Sequence, residues 1–381
     1  MADHDTNERF LHQALNLARQ GIGLTSPNPN VGAVIVDAKG EVIGTGSHTY
    51  DGVKHAEILA LEQAGEKARG ATLYINLEPC SHQGRTAPCA DVLIAAGISR
   101  VVACMEDPNP LVGGQGFAKL RSAGISVSSG ILEDQAKALN ESFARFILHH
   151  VPLVTLKAAM TLDGKIASPP PASSTRPATP NWITGEEARA HVQELRHQSD
   201  AILVGVGTVI ADDPLLTDRT GRPRRRPLLR VILDSRLRLP TESRVATTAQ
   251  DDVLVFCSSP EEKKKKQLLK LGIRVQKLPA TAADGRPDIA AVVRFLGETE
   301  ITSLIIEGGS TVNAAALSAG TVDKVFLYYA PRILAGTASV PFAGGAGFKS
   351  ISDAACVKSI RLHRFGEDFA VEGYLKDPYG D

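Results

Sequence analysis

His55-Ala56-Glu57 is followed by Pro79-Cys80 and then by Cys89. Together they supply one imidazole, two thiolates and a carboxylate that need not bind metal. Ligands of one ion must meet within a few bond lengths, so the fold has to bring these three chain positions together. Three protein ligands suit zinc, which keeps its fourth position for water and lowers the pKa of that water toward neutrality. Glu57 is then the residue to take the proton and hand it to a leaving amine. The order H-x-E…P-C…C is that of zinc deaminases acting on nucleobases. Their usual cysteine spacing is C-x-x-C, whereas here residues 81–88 separate the two thiols. A closed zinc site with His82 as fourth ligand, or two ordinary buried cysteines, would use the same residues without chemistry.

The chain has 381 residues, room for two domains. Lys+Arg and Asp+Glu both number 42, which gives zero net charge and no basic footprint for nucleic-acid phosphates. No apolar run is long enough to span a membrane, and the polar, acid-containing start lacks the features of a signal peptide. The five cysteines, Cys80, Cys89, Cys104, Cys257 and Cys356, are an odd set spread over a long chain. With no export signal, they argue for reduced thiols and a cytoplasmic location.

Apolar spacing predicts helices over 9–20, 56–66, 90–96, 116–123 and 135–148, and strands over 31–36, 41–46, 71–77 and 101–105, with a short one at Val127. Strands separated by helices imply a parallel or mixed sheet covered by helices. His55 and Glu57 fall where a helix begins, Cys80 follows a strand and Cys89 opens a helix, an end that favours thiolate. Beyond about Val151 the pattern predicts strands over 154–158, 201–206, 229–233, 253–256, 273–276, 303–306 and 324–329, with a helix over 186–198. A Pro-, Ser- and Thr-rich stretch, 169–180, is expected to be an exposed loop. The basic run 263–266 is expected on a solvated helix face.

Pro79 through Cys89 resembles the P-C-x-H-x-G-R-T-P-P-C segment of the bifunctional riboflavin-biosynthesis deaminase/reductase family, departing from it at Ala87. Asn28-Pro29-Asn30-Val31-Gly32, Gly44 through His48 and Asp107-Pro108-Asn109-Pro110 match the same family. The resemblance implies a cytidine-deaminase-like α/β/α domain over 1–149 and a dihydrofolate-reductase-like α/β domain over 150–381. It implies a small pyrimidine ribosyl phosphate as substrate, with Zn2+ held by His55, Cys80 and Cys89 and Glu57 as proton shuttle. Asn28, His48, His82, Arg85 and Thr86 would contact base, ribose or phosphate.

Zinc chemistry needs nothing from the second half, so a second activity is expected there. Residues 305–311 run from a strand into a Gly-rich turn and a helix, a junction that presents N–H groups to phosphate. Residues 204–208 form a second Gly-containing strand end, and neither makes a G-x-G-x-x-G fingerprint. Lys157, Thr161-Leu162-Asp163-Gly164-Lys165, Trp182-Ile183-Thr184, Asp212-Asp213-Pro214 and Glu307-Gly308-Gly309 match the family's reductase half.

That match implies an NADPH site lined by Ala159, Trp182, Thr208, Asp212, Ser235, Gly309, Ser310, Thr311, Val312, Asn313, Ala314 and Ala315. It implies substrate contacts from Lys157, Arg196, Leu216, Arg219 and Glu307, the two arginines suiting a 5′-phosphate. Ser235 and Arg236 would read the cofactor's 2′-phosphate. Pro180 stands where the family has a substrate-contacting serine. The expected partners are small pyrimidine phosphates, not nucleic acid or membrane, and the expected assembly is a homodimer. A tRNA deaminase fused to an unrelated domain, or a zinc-stabilised nucleotide sensor, are the alternatives. Zero net charge speaks against the first and the spare carboxylate of Glu57 against the second.

Overall fold

The computed structural model describes residues 2–83, 87–169, 182–281 and 284–380. The chain divides into two compact units, Met1–His149 with Pro223–Arg225, and His150–Arg222 with Arg226–Asp381. The Pro-rich stretch from 170 onward, including Pro180, lies outside the described residues.

The first unit runs α1 (Ala2–Arg19), β1 (Gly32–Val36), β2 (Val42–Ser47), α2 (Ala56–Ala64), β3 (Thr72–Leu77), α3 (Cys89–Ala96), β4 (Arg100–Met105), α4 (Gln115–Ser122), β5 (Ser126–Ser129) and α5 (Glu133–His149). Its sheet has the order β2-β1-β3-β4-β5, with β1 antiparallel to both neighbours and β3 to β5 parallel. Every residue of β1 is buried, because helices cover both of its faces. Ala33 and Ile35 pack with Leu73, Ile75, Val101 and Ala103 against Ala56, Ala60, Leu93 and Phe117. Gly32, on the other face, sits against the backbone of α1 at Ala14 and Ala18.

Two glycines seat α2. A Cβ on Gly46 would stand 2.0 Å from the Ala56 carbonyl oxygen, and one on Gly44 2.1 Å from that of Ala60. Backbone thus touches backbone along β2, and the start of α2, which carries His55 and Glu57, is held at a fixed height above the sheet.

The second unit begins with β6 (Leu153–Thr161), β7 (Lys165–Ala167), α6 (Glu186–Gln198), β8 (Ala201–Gly205), α7 (Val206–Asp212), β9 (Leu229–Leu233) and α8 (Arg244–Thr247). It continues with β10 (Val253–Cys257), α9 (Glu262–Lys270), β11 (Ile273–Lys277), α10 (Ile289–Glu298), β12 (Ser303–Ile306), α11 (Ser310–Ser318), β13 (Lys324–Ala330), β14 (Val340–Pro341), β15 (Lys358–Phe365) and β16 (Asp368–Tyr374). Among the described residues its main sheet has nine strands in the order β11-β10-β9-β8-β12-β6-β13-β16-β15. Pairing is parallel from β11 to β13 and antiparallel beyond. Apolar side chains cover both faces, Leu203, Val231 and Phe256 meeting Val292 and Leu296 on one, and Val204, Ile232 and Val255 meeting Val209 and Leu268 on the other.

β12 inserts between β8 and β6, so the direction of winding reverses there. Open parallel sheets bind ligands outside the carboxyl ends of the strands at such a reversal. The residues following β6, β8, β9, β12 and β13 all leave the sheet at that edge.

Gly46→Ala is expected to lift α2 from β2 and cost about 1–3 kcal/mol, as overpacking does. Thermal denaturation of the zinc-loaded protein should show a lowered midpoint for the first unit; an unchanged midpoint would contradict the packing described.

Candidate active sites

In the first unit His55 immediately precedes α2, Glu57 lies in its first turn, Cys80 follows β3 and Cys89 is the first residue of α3. His55 Nδ1 is 3.2 Å from Cys89 Sγ and 3.6 Å from Cys80 Sγ. The three donor atoms lie within 4.8 Å of one another, a set that fits a zinc ion. Among the described residues the cluster includes neither Glu57 nor His82, which is exposed. Three protein donors are the set that a catalytic zinc site uses.

The Cys89 backbone N–H donates to Cys80 Sγ at 3.4 Å. A hydrogen bond from the Cys89 thiol, aided by His55, holds Cys80 at about 4 despite burial. The same contact, with burial, pushes the Cys89 thiol up. Glu57 is 3% exposed, and burial pushes its carboxyl up, with His55 opposing. An acid so placed exchanges protons instead of standing as a fixed charge.

The buried His48 ring meets the His55 ring edge-on, with centroids 5.3 Å apart. Its Nδ1 is 3.0 Å from the Lys54 carbonyl oxygen and its Nε2 3.0 Å from Asn28 Nδ2. Asn28 and His48 are thus brought together beside the metal ligands. Arg85 and Thr86 lie outside the described residues.

Four residues that sequence reasoning assigned no role support this arrangement. Asn140 accepts from the Asn30 N–H at 2.8 Å and donates to the Asn30 carbonyl at 3.1 Å. Asn76 donates to that carbonyl at 2.9 Å and accepts from the Gly32 N–H at 2.8 Å. The loop presenting Asn28 is therefore clamped at Asn30. Glu78, also buried, accepts from the N–H groups of Asp107, Gly114 and Phe117 at 3.1, 2.9 and 2.9 Å, which ties the start of Pro79-Cys80 to the head of α4. Burial pushes the Asp107 carboxyl up to about 7; the Asn109 N–H opposes this, and the charges of Glu78 and Cys80 reinforce it. The D-P-N-P motif was the signal available for Asp107.

In the second unit Lys157 on β6, Arg196 on α6 and Glu307 just past β12 converge. Arg196 Nε donates to Glu307 Oε1 at 2.6 Å and its Nη2 to Oε2 at 3.1 Å, while Lys157 Nζ donates to Oε2 at 3.1 Å. Burial alone would raise the carboxyl; the two cations overturn that and hold it at about 2. Arg196 Nη1 also donates to the Thr217 carbonyl at 3.0 Å, and Arg230 Nη1 to that of Leu215 at 3.2 Å. Between them the buried Leu216 adopts φ 57°, a conformation unusual for a branched side chain. Arg219 is exposed, its N–H donating to Gln193 Oε1 at 3.2 Å.

The residues expected around a nucleotide cluster only in part. Gly309 caps α11, and a Cβ there would lie 3.8 Å from Thr208 Oγ1 on α7. Val312 approaches Gly205 from the same helix, where a Cβ would meet it at 3.0 Å. Ser310 Oγ and Asn313 Oδ1 are buried without a protein partner, the condition of groups that await a ligand. Asp212 ends α7, and Ser235, beyond β9, offers its carbonyl to the N–H of Ser259 at 2.8 Å. Ala159 lies two residues past Lys157 on the same face of β6, packed with Phe326 and Tyr328. Thr311 and Ala315 are exposed and Ala314 half-buried. Trp182 is 55% exposed with the Arg189 guanidinium 5.1 Å from its ring, and so is no core residue.

Residues 4–105 match the model of the cytidine and deoxycytidylate deaminase zinc-binding region, and residues 152–371 that of the RibD C-terminal domain. The riboflavin biosynthesis protein RibD of Bacillus amyloliquefaciens is 40% identical over 371 residues, 97% of this chain and 96% of that protein. This chain belongs to the RibD family. The RibD of Escherichia coli K12 is 39% identical, over 95% of this chain and 97% of its own. The RibD structure from Acinetobacter baumannii (form 1) superposes with a TM-score of 0.82 at 36% identity, covering 97% of this chain and 99% of that one. A Thermotoga maritima structure described as a diaminohydroxyphosphoribosylaminopyrimidine deaminase/5-amino-6-(5-phosphoribosylamino)uracil reductase gives 0.80 at 36% identity, over 98% and 99% of the two chains. As in other RibD proteins, a zinc-binding deaminase domain of cytidine-deaminase type and a reductase domain share one chain in riboflavin biosynthesis.

The depressed Glu307 carboxyl sets an acid limit for the second unit. Its pairing stabilises the second unit in full above the ordinary carboxyl value of 4.5, and that contribution is lost as pH falls toward about 2. Urea denaturation from pH 6 downward should therefore show a stability loss that Glu307→Gln removes; identical acid profiles for both proteins would contradict the pairing.

Proposed function

We propose that the unit built on residues 1–149 hydrolyses the 2-amino group of 2,5-diamino-6-(5-phosphoribosylamino)pyrimidin-4(3H)-one. The unit built on 150–381 then reduces the ribosyl chain of the resulting 5-amino-6-(5-phosphoribosylamino)uracil to the ribityl form with NADPH. The observation that carries this reading is the His55–Cys80–Cys89 triangle with the buried, unligated Glu57 beside it. The substrate names follow the Thermotoga relative.

When bound, zinc supplies a Lewis acid that makes water nucleophilic near neutral pH. His55, Cys80 and Cys89 would hold it. The Glu57 carboxylate takes a proton from the attacking water and returns it to the departing amine as ammonia. Asn28 and His48 orient the base, and burial of Glu57 keeps bulk water from competing for its proton. His82, Arg85 and Thr86 are assigned to the base and phosphate by motif alone.

In the second unit NADPH, when bound, would supply the hydride. Gly309 through Ala315, with Thr208, Asp212, Ser235, Ala159 and Trp182, are assigned to it, supported by the orphaned polar atoms at the head of α11. Glu307, fixed as a carboxylate by Arg196 and Lys157, presents an acceptor to ribose hydroxyls. Leu216 is held at the substrate by the two arginine-bonded carbonyls that flank it. Exposed Arg219 is assigned to the 5′-phosphate, while Arg196, the other arginine expected there, directs its Nε and Nη2 to Glu307.

Glu57→Gln should keep its zinc by metal analysis while ammonia release falls by about 10²–10⁴-fold, the range general acid–base groups supply. Supplied with the deaminated product, the same variant should oxidise NADPH at the normal rate. Ammonia release at the parent rate would sink the assignment.

We also infer a homodimer. β15 is the outer strand of the sheet, with Ile360 58% and Leu362 73% exposed, an edge that natural proteins cover. Leu362→Asp is expected to halve the sedimentation mass; an unchanged mass would exclude this edge. Zero net charge favours small-molecule substrates over nucleic acid, and no described helix is long and apolar enough to cross a membrane. The five free cysteines suit the cytoplasm.

A further inference from the structure

The turn at Thr161 to Lys165 sits at the carboxyl edge of the sheet, yet none of its side chains is used above. Its Asp163 carboxylate accepts the Thr161 hydroxyl at 2.6 Å and the consecutive backbone N–H groups of Leu334 and Ala335 at 3.0 and 2.8 Å. Ala335 has φ 54°, so the two N–H groups form the concave pair that binds anions, here filled from within the chain. Leu334 and Ala335 belong to the connection that follows β13.

That connection is tied to the turn again where the Leu162 N–H meets the Arg332 carbonyl at 2.8 Å and the Phe342 N–H meets the Gly164 carbonyl at 2.9 Å. β14 pairs with β7 alongside. Its far end lies on the head of α11. Asn313 Nδ2 donates to the Phe342 carbonyl at 2.8 Å, and the Gly344 N–H to the Ser310 carbonyl at 3.2 Å. A Cβ on Gly344 would stand 2.8 Å from Ser310 Oγ. The stretch from Arg332 to Gly344 is therefore fastened to the Asp163 turn twice, through residues 332–335 and again at Phe342, and it walls the head of α11 through Phe342 and Gly344.

We propose that Asp163 is a positioning residue for NADPH: its carboxylate fixes the Leu334–Ala335 bend and so holds this wall against the head of α11. The proposal rests on the assignment of Gly309 through Ala315 to the cofactor. No contact between Asp163 and the cofactor is required, so the effect is on binding and not on hydride transfer.

Asp163→Asn keeps the shape and removes the charge. In the cofactor-free protein, amide hydrogen exchange at Leu334 and Ala335 should quicken by about tenfold, as charge-assisted bonds are lost. The KM for NADPH should rise by about tenfold with kcat within about twofold, because binding alone is disturbed. Ammonia release should not change. Adding Ala335→Gly to Asp163→Asn should recover part of the KM, since glycine adopts the left-handed bend without help.

Thr311→Asp is the control for the underlying assignment. It places a carboxylate at an exposed helix N-terminus, which suits the fold and repels phosphate. A raised KM in Thr311→Asp with unchanged KM or exchange in Asp163→Asn overturns the proposal alone. An unchanged KM in Thr311→Asp removes the cofactor from α11, and the proposal falls with it. A fall in kcat at unchanged KM in Asp163→Asn also overturns it.

Discussion

A carboxylate taken out of water must keep either a proton or a cation beside it, because an isolated buried charge is too costly to hold. The two units meet that constraint in opposite ways. Glu57 faces only the opposing charge of His55 among the described residues, and burial outweighs it, raising the proton affinity of the carboxyl and making it an exchanger. Glu307 is gripped by a forked arginine and a lysine, so it remains an anion through the working pH range. The surrounding elements answer to these demands. α2 is pressed onto β2 to seal the first acid, and α6 reaches across to β12 to neutralise the second.

Legibility in the sequence followed the range of the interaction. His55, Glu57, Cys80 and Cys89 were readable because short local patterns carry them, and each falls at an element end. The glycine spacing of Gly44 and Gly46 was readable as a motif but not as a helix seat, since the helix it receives lies outside the pattern. The clamp of Asn30 by Asn76 and Asn140 was silent. Its bonds are to backbone atoms, and Asn140 sits within α5, where a non-helical φ of −114° turns it toward the loop.

The second unit shows the same divide. Buried parallel strands such as Leu229–Leu233 and Ser303–Ile306 announce themselves as apolar runs, and they lie where the pattern put them. The strand expected over 201–206 stops at Gly205, which turns the chain into α7. The hairpin of β15 and β16 was not anticipated. The side chains of β15 are almost all exposed, so the alternation that reveals a half-buried strand is missing. α10 carries Val292, Val293 and Leu296 in a run short enough to spell strand or helix, and went unread. The grouping of Lys157, Arg196 and Glu307 depends on sheet order, which no local spacing encodes.

The bonds of His48 carry a consequence for selectivity. A peptide carbonyl can only accept, so the nitrogen facing Lys54 must bear hydrogen, and in the neutral ring the nitrogen facing Asn28 is then bare. Asn28 is then obliged to turn its amino group to that bare nitrogen and spend one of its two hydrogens there. Its remaining oxygen has a dictated polarity: it can recognise N–H or O–H and must reject a lone pair. The orientation of the Asn28 amide, and so where its oxygen faces the substrate, is thereby set by a main-chain oxygen two side chains away, which no substitution at residue 54 short of moving the backbone can alter.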